Sequence, residues 1–213
     1  MNYMQELIQF AEKIKDGELR KKVVEFLKDP SLSHKDFKKY PREKMEKVKT
    51  PFTVAGQGTV ERGDLVRHTV VVTDLCLKTA DDLEKKYGIP INRDHLLAGA
   101  LLHDVMKMFE WKFEGGETKH TGILLDHSML AVAELYHRGF PESVIHIIAS
   151  HFGETGPTPP RNFEALILHH IDTLVSQIEF HLYSPGEQPV QLVLLDEEMV
   201  KKIVGEKPGE KIK

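Results

Sequence analysis

Cysteine is nearly missing from this chain: Cys76 is the one thiol in 213 residues. A lone thiol excludes an internal disulfide and any metal site built from several thiolates. Cys76 falls on an apolar helical face, so a buried, inert thiol is expected. Long hydrophobic runs are absent too, and none nears the roughly 20 residues that a membrane span needs. The start, Met1 to Phe10, carries Gln and Glu without the basic-then-apolar order of a signal peptide. A cytoplasmic protein with no membrane partner is expected. Positive charge is in deficit, with 29 Lys and Arg against 33 Asp and Glu, which argues against a broadly basic nucleic-acid binder. There is no repeat and no low-complexity block. What remains, 40% apolar and 29% charged, is ordinary globular composition, and the length suits one sizeable domain.

Helical periodicity dominates the rest. Residues 2–28 read as two short helices broken at Asp16-Gly17, with Leu7, Phe10, Ala11 and Ile14 on one stripe and Leu19, Val23, Phe26 and Leu27 on another. Residues 30–60 read as charged loop with one short helix; Lys35 to Lys49 holds seven basic and three acidic residues, a solvated face or a phosphate-attracting rim. A helix from Arg62 to Tyr87 carries Leu65, His68, Val72, Leu75, Cys76, Thr79 and Leu83 at 3–4 spacing. Asn92 caps a helix expected to run to Met108, and a loop with Gly115-Gly116 follows. Helices are expected over Gly122–His137, then from Pro141 to Gly153, then from Asn162 to Leu182 with Ala165, Leu168, Asp172 and Val175 aligned. Val190 to Leu195 reads as a short strand near the C-terminus. The fold class is all-α, with residues 1–60 as N-terminal helices and charged loop packing on the core, 61–183 as the helical core, and 184–213 as a C-terminal extension.

Metal-ligand residue types recur on these apolar stripes. His103-Asp104 ends the run Leu101-Leu102-His103-Asp104-Val105-Met106-Lys107, His68 and His151 sit on other stripes, His127 on a further helix, and Asp172 on the last. Core positions favour Leu or Val, so several inward imidazoles and carboxylates need a common reason, and an ion between helices supplies one. Imidazole with carboxylate suits Mn, Fe, Co, Ni or Zn. Each histidine alone is more often a hydrogen-bonded core residue; it is their joint order that points to a site. His169 and His170 are read as structural. Trp111 and Phe113 form a satellite core or wall a pocket.

In this order the residues resemble the HD superfamily of metal-dependent phosphohydrolases, whose pattern of His, His-Asp and distant Asp is matched by His68, His103-Asp104 and Asp172. Branches with two further histidines are matched by His127 and His151. The stretches Gly122 to His127, Ser150 to Gly153, and Glu164 to Asp172 are similar to the HD domain of YhaM-type 3′→5′ exoribonucleases, over roughly residues 14–182. Two departures, no oligonucleotide-binding domain ahead of the helices and no paired histidines across Phe52 to Arg67, count against processive RNA degradation. HD-type dihydroneopterin cyclic phosphate phosphodiesterases of archaea offer a small-molecule parallel.

The resemblance implies one or two divalent ions, the first on His68, His103, Asp104 and Asp172, the second on His127 and His151 with Asp104 bridging. It implies a hydroxide formed by the ion's acidity and attacking phosphorus in line. Asp104, Lys107 and His120 are the candidate catalytic residues, with His120 as outer-shell group or general acid. Lys107, Arg67 and Arg161 are candidates for holding the phosphate. The expected function is phosphodiester hydrolysis on a nucleotide-like ester: a cyclic phosphate, a dinucleotide or a short single-stranded oligonucleotide. Alternatives are a phosphomonoesterase such as a 5′-nucleotidase, a non-catalytic nucleotide-binding module, and more distantly a di-iron oxygenase. A homodimer stands among the candidate partners.

Overall fold

A computed structural model describes residues 2–54 and 58–183. The expected strand at Val190–Leu195 and the whole 184–213 extension lie outside the described residues. Twelve elements follow in order: α1 (Tyr3–Ala11), α2 (Gly17–Lys28), β1 (Lys49–Val54), β2 (Gly58–Asp64), α3 (Leu65–Tyr87), α4 (Arg93–Leu102), α5 (Lys107–Glu110), β3 (Trp111–Glu114), β4 (Glu117–His120), α6 (His127–His137), α7 (Glu142–Ala149) and α8 (Phe163–Tyr183). The architecture is helical, as the periodicity implies, with two small antiparallel hairpins added.

Caps set most boundaries. Asp16, Asp64, Asn92 and Asp126 each accept a backbone N–H of the following turn from a non-helical conformation, which fixes the starts of α2, α3, α4 and α6. Hydrophobic period alone places the starts of α3 at Arg62 and α6 at Gly122, and the capping aspartates move them to Leu65 and His127. Gly88 ends α3 in the left-handed conformation at φ 66°.

The central helix is α4, in which every residue from Leu96 to Leu102 is buried. One face of it meets α1, α2, α3, α6 and α7 through Leu97, Leu101, Leu102 and their neighbours. Its other face packs with α3, α7 and α8 through Leu96, Ala100, Ile147, Ala165 and Leu168. Gly99 lets α4 and α7 touch: a Cβ there would sit 2.4 Å from Ile147 Cγ2, closer than real carbon contacts. Cys76 is buried in the second cluster, and burial, with Asp172 nearby, pushes its thiol pKa up; it is inert, as expected.

Four boundaries depart from the sequence reading in ways that matter. α4 ends at Leu102 rather than Met108, and the backbone tightens through i→i+3 bonds, Val105 to Leu102, Lys107 to Asp104 and Phe109 to Met106, so His103 and Asp104 occupy a turn between two helices. α7 ends at Ala149, so His151 lies beyond it. Two segments read as loop are hairpins. β1 pairs with β2 with an irregularity between Lys49 and Pro51, which accommodates the missing N–H of Pro51. β3 pairs with β4 in register from Trp111↔His120 to Glu114↔Glu117, closed by Gly115 and Gly116 at φ 65° and 89°, the two-residue left-handed turn that matches strand twist. The stretch Lys35–Lys49 contains two 3-10 turns, at Lys35–Phe37 and Met45–Lys47.

Candidate metal centre

Five elements deliver six side chains to one point. His68 lies in the first turns of α3, His103 and Asp104 follow the last residue of α4, His127 is the first residue of α6, His151 follows α7, and Asp172 is mid-α8. All except Asp172 are buried, and the Asp172 side chain is 15% exposed. The rings touch in a chain: centroids are 5.7 Å apart for His68–His103, 5.7 Å for His103–His151 and 5.4 Å for His151–His127.

The ligand atoms form two overlapping triads, His68, His103, Asp104 and Asp104, His127, His151, within each of which they lie within 4.8 Å of one another. Asp104 belongs to both. Asp172 adds a carboxylate to the first, 3.0 Å from His68 Nε2 and 3.8 Å from His103 Nε2. His68 Nε2 is also 3.7 Å from Asp104 Oδ2.

The outer ring nitrogens are all engaged. His103 Nδ1 donates to Ala100 O at 2.8 Å and His151 Nδ1 to Ile148 O at 2.7 Å. A carbonyl only accepts, so both rings carry their proton on Nδ1 and turn a bare Nε2 inward. Burial pushes both pKa values down, that of His151 to about 4 with the help of His127, so both are neutral near pH 7. His127 Nδ1 lies 2.7 Å from Glu110 Oε2, and His68 Nδ1 lies 3.1 Å from Glu179 Oε2.

Nε2 of His103, His127 and His151 is buried without a hydrogen-bond partner among the described residues. His127 Nε2 is 3.3 Å from Asp104 Oδ1. Buried polar atoms are normally satisfied, and three orphans aimed at one carboxylate are an unmet demand for a cation. Burial pushes the carboxyls of Asp104 and Asp172 up, but their neighbours outweigh it. Lys107, His103 and His127 hold Asp104 well below the usual carboxylate range, and His68 and His103 do the same for Asp172. Both are ionised, and the donor set of imidazole and carboxylate fits a borderline divalent ion.

His127, His151 and Asp172 of the cluster line a cleft of about 490 Å³, with His68, His103 and Asp104 buried outside its lining; the volume is within the usual span of small-molecule sites. Its walls include Thr50, Phe52, Trp111, Phe152, Glu154 and Thr173. Of the expected substrate contacts, Lys107 lines the cleft, with its ammonium 2.6 Å from Asp104 Oδ2. His120 is not in the lining; it stands behind Glu110, its Nε2 4.0 Å from Oε1, with its ring against Trp111. Arg67 is exposed near Tyr183, and Arg161 lines a separate hollow with His146; the structure brings neither to the cleft. Phe113 is 46% exposed and outside the lining. His169 donates to the backbone carbonyl of His151 and packs on Gly153, where a Cβ would lie 2.3 Å from its ring, so it supports the segment that carries His151.

Two residues of the site escaped sequence reasoning. Glu179 continues the stripe Ala165, Leu168, Asp172, Val175, and a charged residue at that register was the available signal. Glu110 gave none, because its place depends on the turn at Asp104.

Comparison with known proteins agrees with this geometry. The HD domain pattern matches residues 65–176. The chain is 46% identical over 177 residues to the dihydroneopterin 2′,3′-cyclic phosphate phosphodiesterase of Methanocaldococcus jannaschii, covering 82% of this chain and 70% of that one. It is 31% identical over 137 residues to the 3′-5′ exoribonuclease YhaM of Oceanobacillus iheyensis and 30% over 149 residues to that of Bacillus licheniformis; these matches cover 56% and 62% of this chain, and 43% and 46% of those longer enzymes. No solved structure matches the chain. Imidazoles and carboxylates converging from helices and the turns that follow them, with the HD match over the core and the phosphodiesterase relative, make this a metal-dependent phosphoric ester hydrolase. The chain belongs to the HD domain family.

Proposed function

We propose that this protein hydrolyses a small phosphodiester of nucleotide size, with 2′,3′-cyclic phosphates as the preferred class. The observation that carries the proposal is the set of inward-facing imidazole nitrogens of His103, His127 and His151 around the shared Asp104, reached from a cleft of about 490 Å³ that His127, His151 and Asp172 line. The relative at 46% identity, named for a cyclic phosphate diester, supports the substrate class.

In this reading His68, His103, Asp104 and Asp172 hold one divalent ion, and Asp104, His127 and His151 hold a second, from among Mn, Fe, Co, Ni and Zn. Such ions supply Lewis acidity to the phosphoryl group and lower the pKa of water toward about 7. The protein supplies the rest. Asp104 and Asp172 place negative charge where cations must sit. Lys107, held to Asp104, adds a fixed positive charge at the phosphate position, worth most where water is excluded. Trp111, Phe52 and Phe152 give flat apolar walls for a heterocyclic base, which stacks without demanding hydrogen bonds. His120, outside the cleft lining and 4.0 Å from Glu110 Oε1, takes the outer-shell role behind that carboxylate rather than meeting the substrate. Hydrolysis adds one water, breaks one ring P–O bond and leaves a monoester beside a free hydroxyl.

A phosphomonoesterase would use the same core, and assay separates the two. Purified protein is to be given bis-p-nitrophenyl phosphate, p-nitrophenyl phosphate and a nucleoside 2′,3′-cyclic phosphate with Mn, Fe, Co, Ni or Zn. Turnover of the diesters well above the monoester is expected. Absence of diester turnover with every ion rejects the proposal, and monoester preference transfers it to the alternative.

A further inference from the structure

The outer faces of the four histidines follow a pattern that the reaction does not itself require. Each triad contains one imidazole backed by a main-chain carbonyl three residues earlier and one backed by a carboxylate from a different element. In the first, His103 rests on Ala100 O and His68 on Glu179 Oε2 at 3.1 Å. In the second, His151 rests on Ile148 O and His127 on Glu110 Oε2 at 2.7 Å. The carbonyl contacts are local to a turn and come with the backbone. The carboxylate contacts bridge 111 and 17 residues of sequence, and two glutamates are sequestered to make them: the Glu179 side chain is 11% exposed and that of Glu110 is 13%.

A carboxylate behind an imidazole fixes the proton on the outer nitrogen, locks the ring plane and strengthens the inner lone pair as a donor. A neutral carbonyl does the first two and less of the third. Each half of the site therefore holds one strengthened imidazole, and the two strengthening groups touch different halves: Glu179 contacts His68 on α3 from α8, and Glu110 contacts His127 on α6 from α5. The ligand they share between halves is Asp104, which accepts from Lys107.

We propose that Glu179 and Glu110 are positioning residues that set the ion affinities of the two halves separately, Glu179 through His68 for the first and Glu110 through His127 for the second. This rests on the reading of the cluster as a two-ion site. Glu110 has a further consequence, because its other oxygen faces His120 on the β3–β4 hairpin at 4.0 Å. The second half is thus linked to the hairpin that carries Trp111.

The test is ion binding, read without turnover. The full chain and its Glu110→Gln, Glu110→Ala, Glu179→Gln and Glu179→Ala variants are stripped of metal and titrated with Mn²⁺ by calorimetry. Ion content is counted by mass spectrometry, and spin coupling between ions is followed by electron paramagnetic resonance. Two ions and a coupled signal are expected for the unaltered chain. Each Ala variant is expected to weaken one ion by about 10- to 100-fold, to keep the other at its original affinity, and to lose the coupled signal when ion is limiting. The Gln variants keep a hydrogen-bond acceptor without the charge and should fall between. A general structural role would instead lower the melting temperature of the metal-free protein without selecting one ion. Two ions retained at original affinity in all variants, or equal weakening of both ions by either glutamate, overturns the proposal. A chain that takes up one ion overturns the two-half assignment while leaving hydrolysis standing, and a chain that takes up none overturns the reading of the site beneath it.

Discussion

Two hollows of nearly equal volume lie against α6, one of about 490 Å³ at its N-terminus around His127 and one of about 500 Å³ along its side from Leu125 to His137, around Glu134. Both contain a buried ionisable residue of the same helix, His127 in one and Glu134 in the other, two turns apart. At the hollow around Glu134 the buried carboxylate is satisfied. Glu134 accepts from Ser33 N at 2.8 Å, Ser33 Oγ at 2.6 Å and Arg138 Nε at 2.7 Å, and the remaining wall is chiefly Leu32, Phe37, Leu125, Leu130 and Ala133. At the N-terminal hollow three imidazole nitrogens have no hydrogen-bond partner among the described residues, and they converge. Volume does not distinguish a site from a crevice here. The difference is whether the buried polar atoms already satisfy one another.

That contrast can be broken at either end. The largest effect is expected from Asp104→Ala, which removes the ligand common to both triads. Diesterase activity should fall by about 10³-fold or more, and bound ion should vanish in the same preparation. Retained ion content beside lost activity would show that Asp104 acts in some other way.

Gly99→Ala tests how far the metal centre depends on helix approach. The new methyl would press on buried Ile147, costing about 1–3 kcal/mol, offset by about 1 kcal/mol of helix propensity. A lower melting temperature with weaker ion uptake is expected, since His103 follows directly on α4. An unchanged melting temperature would mean that α7 yields more freely than its packing suggests.

Glu134→Gln acts on the satisfied end. Truncating that network should cost about 1–2 kcal/mol and leave ion content and turnover unaltered. Burial pushes the Glu134 carboxyl up, but hydrogen bonds from Ser33 and Arg138 outweigh it and hold it below the ordinary value of 4.5. A depressed folded-state pKa contributes stability above the unfolded-state value and loses it as pH falls through the folded one. The gap in melting temperature between wild type and Glu134→Gln should therefore be full near neutrality and close on acidification below about 4.5. A gap that widens in acid would contradict this.

The smallest effect belongs to Arg67→Ala and Arg161→Ala. Both side chains are exposed and away from the cleft, so kcat/KM on a diester should stay within about twofold; a tenfold rise in KM would return either residue to the substrate.

Much of this was legible in the sequence for identifiable reasons. His68, His151 and Asp172 interrupt apolar stripes, and a polar residue in a core register announces itself. Asp126 is the cap that starts α6 and thereby aims His127 inward, a signal that the polar flanks Asp126 and Ser128 carry in the sequence itself. The hairpin at Gly115-Gly116 was readable from its turn residues but was obscured by strands of only four residues each. Glu110 was not readable at all. Its position follows from the i→i+3 turn at His103–Met106, a tertiary choice that no local propensity encodes. Arg67 and Arg161 were drawn in by charge alone, which marks solvent as readily as substrate.

The most direct test is anomalous scattering from crystals grown without chelator and soaked in manganese. Two peaks flanking Asp104 are expected, one among His68, His103 and Asp172 and the other against His127 and His151. Well-ordered imidazoles with no anomalous peak between them would contradict the metal centre, and with it the hydrolytic function proposed for the cleft.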